Sequence, residues 1–105
     1  MEQKDELEYN IENPSICIPR IEGDITKWQV SDVFNKLAVG KLKRIDIVYN
    51  HKQNTNKIFV HFKHWIPSTR NDNIKNLLNS GGNFKLVHTF PQYWKCFKSR
   101  FQPII

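Results

Sequence analysis

The sequence predicts one small α+β domain, with two helices covering one face of a four-stranded antiparallel sheet. Apolar residues alternate with a period of two in some blocks and recur at helical spacing in others. Turn residues separate the blocks, which follow the order strand, helix, strand, strand, helix, strand. A length of 105 residues suits a single domain around a single core.

Residues 1–13 have no apolar periodicity and are expected to form a disordered acidic arm. The folded domain is expected over residues 14–99. Its first strand is the β-branched run Ser15-Ile16-Cys17-Ile18, closed by Pro19, and Glu22-Gly23-Asp24 signals a turn. Thr26 and Gln29 then have the spacing of a capping box, with Ile25 and Val30 as its hydrophobic staple. Val30, Val33, Phe34 and Leu37 make one apolar stripe, so a helix is expected over 27–38, stopped by Gly40.

Ile45, Ile47 and Tyr49 alternate with Arg44, Asp46 and Val48, the pattern of a half-buried strand. A polar loop carrying His51 and Lys52 leads to a second alternation: Ile58, Val60 and Phe62 against Lys57, Phe59 and His61. The two strands read as an antiparallel hairpin. Pro67-Ser68-Thr69 opens a second helix with Ile74, Leu77 and Leu78 on its buried face, and Gly81-Gly82 ends it. Tyr93 to Ser99 is expected to complete the sheet, with Phe84 to His88 as a short accessory strand. The tail 100–105 is expected to dock through Phe101 and Ile104. This order is that of the ferredoxin-like βαββαβ sandwich, which leaves one sheet face open to a ligand.

Charge narrows the function. The chain carries 16 basic and 10 acidic residues, a formal net charge of +6. Glu2, Asp5, Glu6, Glu8 and Glu12 against Lys4 give residues 1–12 a charge of −4, so the rest of the chain holds +10. Such a body attracts polyanions. No apolar run approaches the length of a membrane span, and the acidic start does not read as a signal peptide. An intracellular location, cytoplasmic or nuclear, is expected, with Cys17 and Cys96 as thiols rather than a disulfide.

Over roughly Ile16 to Ser99 the chain resembles the RNA recognition motif family. Ile16-Cys17-Ile18-Pro19-Arg20-Ile21 is similar to the family's hexamer, and Thr55 to Phe62 to its octamer, through the ending Phe59-Val60-His61-Phe62. The run from Phe59 to Trp65, with Tyr93-Trp94, is also similar to short uncharacterised proteins of large DNA viruses. The first resemblance implies base stacking on the open sheet face. Phe59 takes the octamer's central stacking position, while Lys57 and Cys17 stand where the family has further aromatics. Thr55 and Asn56 replace its leading basic residue and Gly.

The expected ligand is single-stranded RNA, in preference to DNA. Phe59 would stack; Lys57, Arg44, Lys95 and Lys52 would meet phosphates; His61 would offer a polar edge beside Cys17. Tyr93 and Phe97 share a face with Lys95 and would supply the missing aromatics in that register; a one-residue shift would turn out Trp94 and Cys96 instead. The alternative is a non-catalytic protein-interaction module using the sheet or the surface around Trp28. No catalytic residue, metal or cofactor is expected. Glu22 and Asp24 share one turn, Asp46 and Asp72 are isolated, and His61 and His64 would face opposite sides of a strand.

Overall fold

Alternation along the strands decides which side of the sheet meets the helices. The computed structural model describes residues 12–89 and 92–100. Its elements are β1 (Ile16–Glu22), α1 (Lys27–Lys36), β2 (Gly40–Asn50), β3 (Thr55–Trp65), α2 (Thr69–Asn79), β4 (Asn83–Thr89) and β5 (Gln92–Lys98). Ile16 and Ile18 of β1, Ile58 and Val60 of β3 and Cys96 of β5 are buried against Val30 and Phe34 of α1 and Leu78 of α2. Both helices therefore share one core. Burying side chains such as Phe34 or Ile58 contributes about 1.5–3 kcal/mol each.

The sheet has five strands, not four. Its order is β2-β3-β1-β5-β4, with every neighbouring pair antiparallel. The four-stranded ferredoxin-like βαββαβ sandwich expected from the sequence is thereby overturned. The run around Phe84 is no short accessory piece. It pairs along β5 as Phe84↔Cys96 and Leu86↔Trp94, which puts its apolar residues on the core face, with Leu86 buried. A strand that supplies its own core residue is held as firmly as its neighbour.

The capping box forms as the spacing predicts. Gln29 N–H donates to Thr26 Oγ1 at 3.2 Å and Thr26 N–H to Gln29 Oε1 at 2.8 Å. The helix stops earlier than expected, at Lys36, because Ala38 turns left-handed at φ 52°. Gly40 has another task. A Cβ there would lie 2.6 Å from the His64 carbonyl oxygen and 2.9 Å from Phe62 Cδ1, so glycine permits the close approach of β2 to β3. In α2, Leu78 is buried and Ile74 partly so, whereas Leu77, expected beside them, is exposed.

The buried place is taken by Asn71. It has no exposed surface, and its Nδ2 lies 3.1 Å from the Ala38 carbonyl, 3.2 Å from that of Val39 and 2.8 Å from that of Ile66. Its backbone N–H meets the Ser68 cap at 3.0 Å, and Arg70 reaches the Leu37 carbonyl. Across the domain, Trp65 Nε1 donates to Pro14 O at 2.9 Å and Trp65 N to Asn13 Oδ1 at 3.0 Å, so the fold is anchored from residue 13. Residues 1–11, and the docking expected of Phe101 and Ile104, lie outside the described residues. Among the described residues no helix is long and apolar enough to cross a membrane. Replacing Asn71 by Ala removes the buried amide that bridges these carbonyls, and is expected to lower the unfolding free energy by about 1–3 kcal/mol, read from urea denaturation.

Candidate nucleic-acid interface

A proline in a central strand opens the sheet. β1 lies between β3 and β5, yet it pairs with β5 only at Ile16↔Lys98 and Cys17↔Phe97. Beyond Ile18 comes Pro19, which has no N–H to donate. Arg20 then takes φ 61°, and the register to β3 shifts before resuming at Ile21↔Asn56. The bulge carries this end of β1 away from β5. A cleft of ≈ 540 Å³ results, with Pro19, Arg20 and Ile21 on one wall and Tyr93, Lys95 and Phe97 on the other.

Trp94 also lines the cleft, and the other β5 side chains there lie on the face away from the helices. Trp94 and Cys96 point into the core, so Tyr93, Lys95 and Phe97 point out. Lys95 stands directly opposite Lys85 of β4. Like charges facing each other across two strands are destabilising. Each is placed against an aromatic face: Lys85 Nζ is 4.9 Å from the Tyr93 ring centre, and Lys95 Nζ is 5.9 Å from that of Phe97. Lys57, exposed on the same face, favours the thiolate of Cys17, but burial dominates and holds that thiol above its ordinary range. Among the described residues no carboxylate lies within ion-pair distance of Arg20, Lys57, Lys85 or Lys95.

One row of this face crosses all five strands: Asp46, Phe59, Cys17, Phe97 and Asn83 stand side by side. Phe59 is half-buried and already has a partner. His61, expected to offer a free polar edge, does not. It is 3% exposed and bonded at both ring nitrogens, with Ser15 Oγ 2.7 Å from Nδ1 and Asp46 Oδ2 3.3 Å from Nε2. Arg44 Nε meets the same Asp46 oxygen at 3.1 Å. Asp46 is therefore not isolated, as its place in the sequence implied. The carboxylate accepts from Nε2–H, which makes Nδ1 the acceptor for the Ser15 hydroxyl.

Serine, histidine and aspartate in a chain invite comparison with a nucleophilic triad. The nitrogens are used the other way round, since a triad serine bonds Nε2 and its aspartate Nδ1. Ser15 is also buried, so its hydroxyl has no approach for a substrate. The group reads as a polar brace joining the residue before β1 to β3 and β2.

Of the residues that the sequence singles out, Lys57, Tyr93, Lys95, Phe97, Cys17 and Phe59 share the open face. Arg44 is committed to Asp46 at the β2 side. Lys52 sits in the turn past β2, its N–H donating to Asn50 Oδ1 at 3.0 Å, away from the cleft. Sequence reasoning misses Arg20 and Lys85. Pro19 is the available signal for the first, while Lys85 requires recognising β4 as a full strand. No protein-family model matches the chain, and neither a curated protein nor a solved structure matches it.

Burial, opposed by Asp46, holds the His61 imidazole below its ordinary range. The folded state therefore resists a proton that the unfolded chain accepts near its usual pKa of about 6.5. Stability is full above that value and is lost as pH falls toward the folded pKa. Thermal melts between pH 7 and 5 should show this decline, and His61→Gln should flatten it.

Proposed function

We propose that the protein binds single-stranded nucleic acid, RNA in preference to DNA, in the cleft between the β1 bulge and β5 and along the adjoining sheet face. The observation that carries this reading is the facing pair Lys85 and Lys95, each set against an exposed or half-exposed aromatic ring. Alone, the pair costs stability; a phosphate backbone crossing it removes the repulsion. Tyr93, 48% exposed beside the cleft, offers a face for a base. One such stacking contact contributes about 1–3 kcal/mol. Arg20 and Lys57 extend the positive field toward β1 and β3. The preference for RNA follows from the similarity of Phe59-Val60-His61-Phe62 to the octamer of the RNA recognition motif.

The emphasis shifts from Phe59 to Tyr93. Phe59 lies deeper and is engaged, whereas Tyr93 stands at the cleft mouth with cations on its own strand and the next. The positions are those at which backbone contacts and stacking act together, the mode in which single strands are bound without duplex grooves.

Polarisation titrations with mixed-sequence single-stranded RNA and DNA, at low and physiological salt, test the reading. Tyr93→Ala is expected to weaken binding about tenfold at fixed salt. Lys85→Ala and Lys95→Ala should each lower the log–log salt slope by about 0.7 for every phosphate that the variant leaves unneutralised. Failure of either nucleic acid to bind at low salt would refute the proposal.

A further inference from the structure

A second feature lies apart from the cleft, where α1 meets the outer edge of β2. Trp28, in the first turn of α1, is 85% exposed, the most exposed of the large apolar side chains among the described residues. Beside it runs a groove of ≈ 340 Å³ between α1 and β2. Leu42 and Ile45 form its apolar floor, and Lys27, Lys43 and Arg44 its rim. Among the described residues no acidic side chain lines it, and Asp32, farther along α1, is paired with Lys36 at 3.1 Å. The first turn of α1 holds no acidic residue either, so the positive end of the helix adds to the same field.

The floor of this groove is an edge strand. β2 ends the sheet order, and among the described residues it pairs only with β3. From Arg44 to Asn50 that pairing runs without a shift, so the outer side presents backbone donors and acceptors at regular strand spacing. Val48 and Tyr49 are exposed along it. An incoming strand would find hydrogen bonds on the edge and an apolar anchor site against Trp28.

The charges choose the occupant. A second copy pairing through the same edge brings no acidic segment to Lys41 and Lys43, and lysines on an edge strand act against edge-to-edge association of like chains. A nucleic acid satisfies the cations but has no peptide groups to match the strand edge. We propose that the edge of β2 takes an extended acidic peptide of a partner protein, with carboxylates on Lys27 and Lys43 and one apolar side chain lodged between Trp28, Leu42 and Ile45.

The test uses the full chain and labelled, end-blocked eight-residue peptides that alternate glutamate with valine and carry one central leucine, phenylalanine or tryptophan. Lysine-for-glutamate versions and an eight-nucleotide oligouridine are the comparisons. At least one acidic peptide should bind, the lysine versions should not, and amide resonances of Arg44–Asn50 should shift. Trp28→Ala, at a solvent-exposed position, should retain the native dichroism spectrum and weaken the peptide about tenfold. Lys43→Glu should weaken it as well, while Tyr93→Ala leaves it unchanged. The proposal is overturned if no acidic peptide binds at millimolar concentration, or if Trp28→Ala leaves its affinity intact. It is equally overturned if oligouridine occupies the groove, seen as binding abolished in Trp28→Ala and retained in Tyr93→Ala.

Discussion

Asn71 ties together the turn after α1, the end of β3 and the start of α2, a junction that the Ile66 N–H to Val39 carbonyl bond also closes. Its amide reaches the turn after α1, through Ala38 and Val39, and the end of β3, through Ile66. These are the places where the chain leaves the first helix and enters the second. The amide itself is fully buried, and a buried polar group left without its partners costs about 1–3 kcal/mol, so the junction and Asn71 depend on each other. With that junction fixed, Gly40 can sit against the His64 carbonyl, β2 and β3 stay in register, and α2 is aimed along β4 and β5. Everything on the open face inherits its position from that arrangement.

The two faces of the sheet are built on different terms. The helix side is continuous and apolar, from Ile45 through Val60 and Ile16 to Cys96, whose thiol burial pushes up to about 12. The opposite side is divided. Near Ser15, His61 and Asp46 it is closed and braced by paired polar groups. Toward Pro19 and Lys95 it is split, and among the described residues its cations have no ion-pair partner. Paired polar groups are thus concentrated at one end and exposed cations and aromatic rings at the other.

Much of the local structure is legible in the sequence because it depends on neighbours in the chain. Thr26 and Gln29 announce the first cap, Ser68 the second, and the alternations around Ile45 and Ile58 the hairpin. The alternation of Tyr93, Lys95 and Phe97 with Trp94 and Cys96 is also visible, but which set faces outward is decided only by the burial of Trp94 and Cys96 in the core. What escapes depends on distant partners. Asn71 looks like a weak helix former, since its acceptors lie more than thirty positions away in the case of Ala38 and Val39. Asp46 looks alone because His61 and Arg44 meet it only after β2 and β3 pair. The fifth strand is easily undervalued because Phe84 and Leu86 are few, and their worth appears only against Cys96 and Trp94. Arg20 does not stand out because Pro19 reads as the end of β1 rather than as a bulge within it.

Two rungs join β1 to β5, and the rest of their length is cleft. The sheet is thus two leaves, one made of β2, β3 and β1 and the other of β5 and β4, stitched at a single short seam above a shared core. Each leaf contains a sequence-local hairpin, β2–β3 in one and β4–β5 in the other, so each has its own source of cohesion. Along the seam the fewest strand-to-strand backbone bonds hold the leaves together, the Ser99 N–H to Ser15 carbonyl bond at 2.8 Å extending it by one step. The cleft is lined from both leaves, so whatever was seated there would bridge them and add a second tie beside the seam.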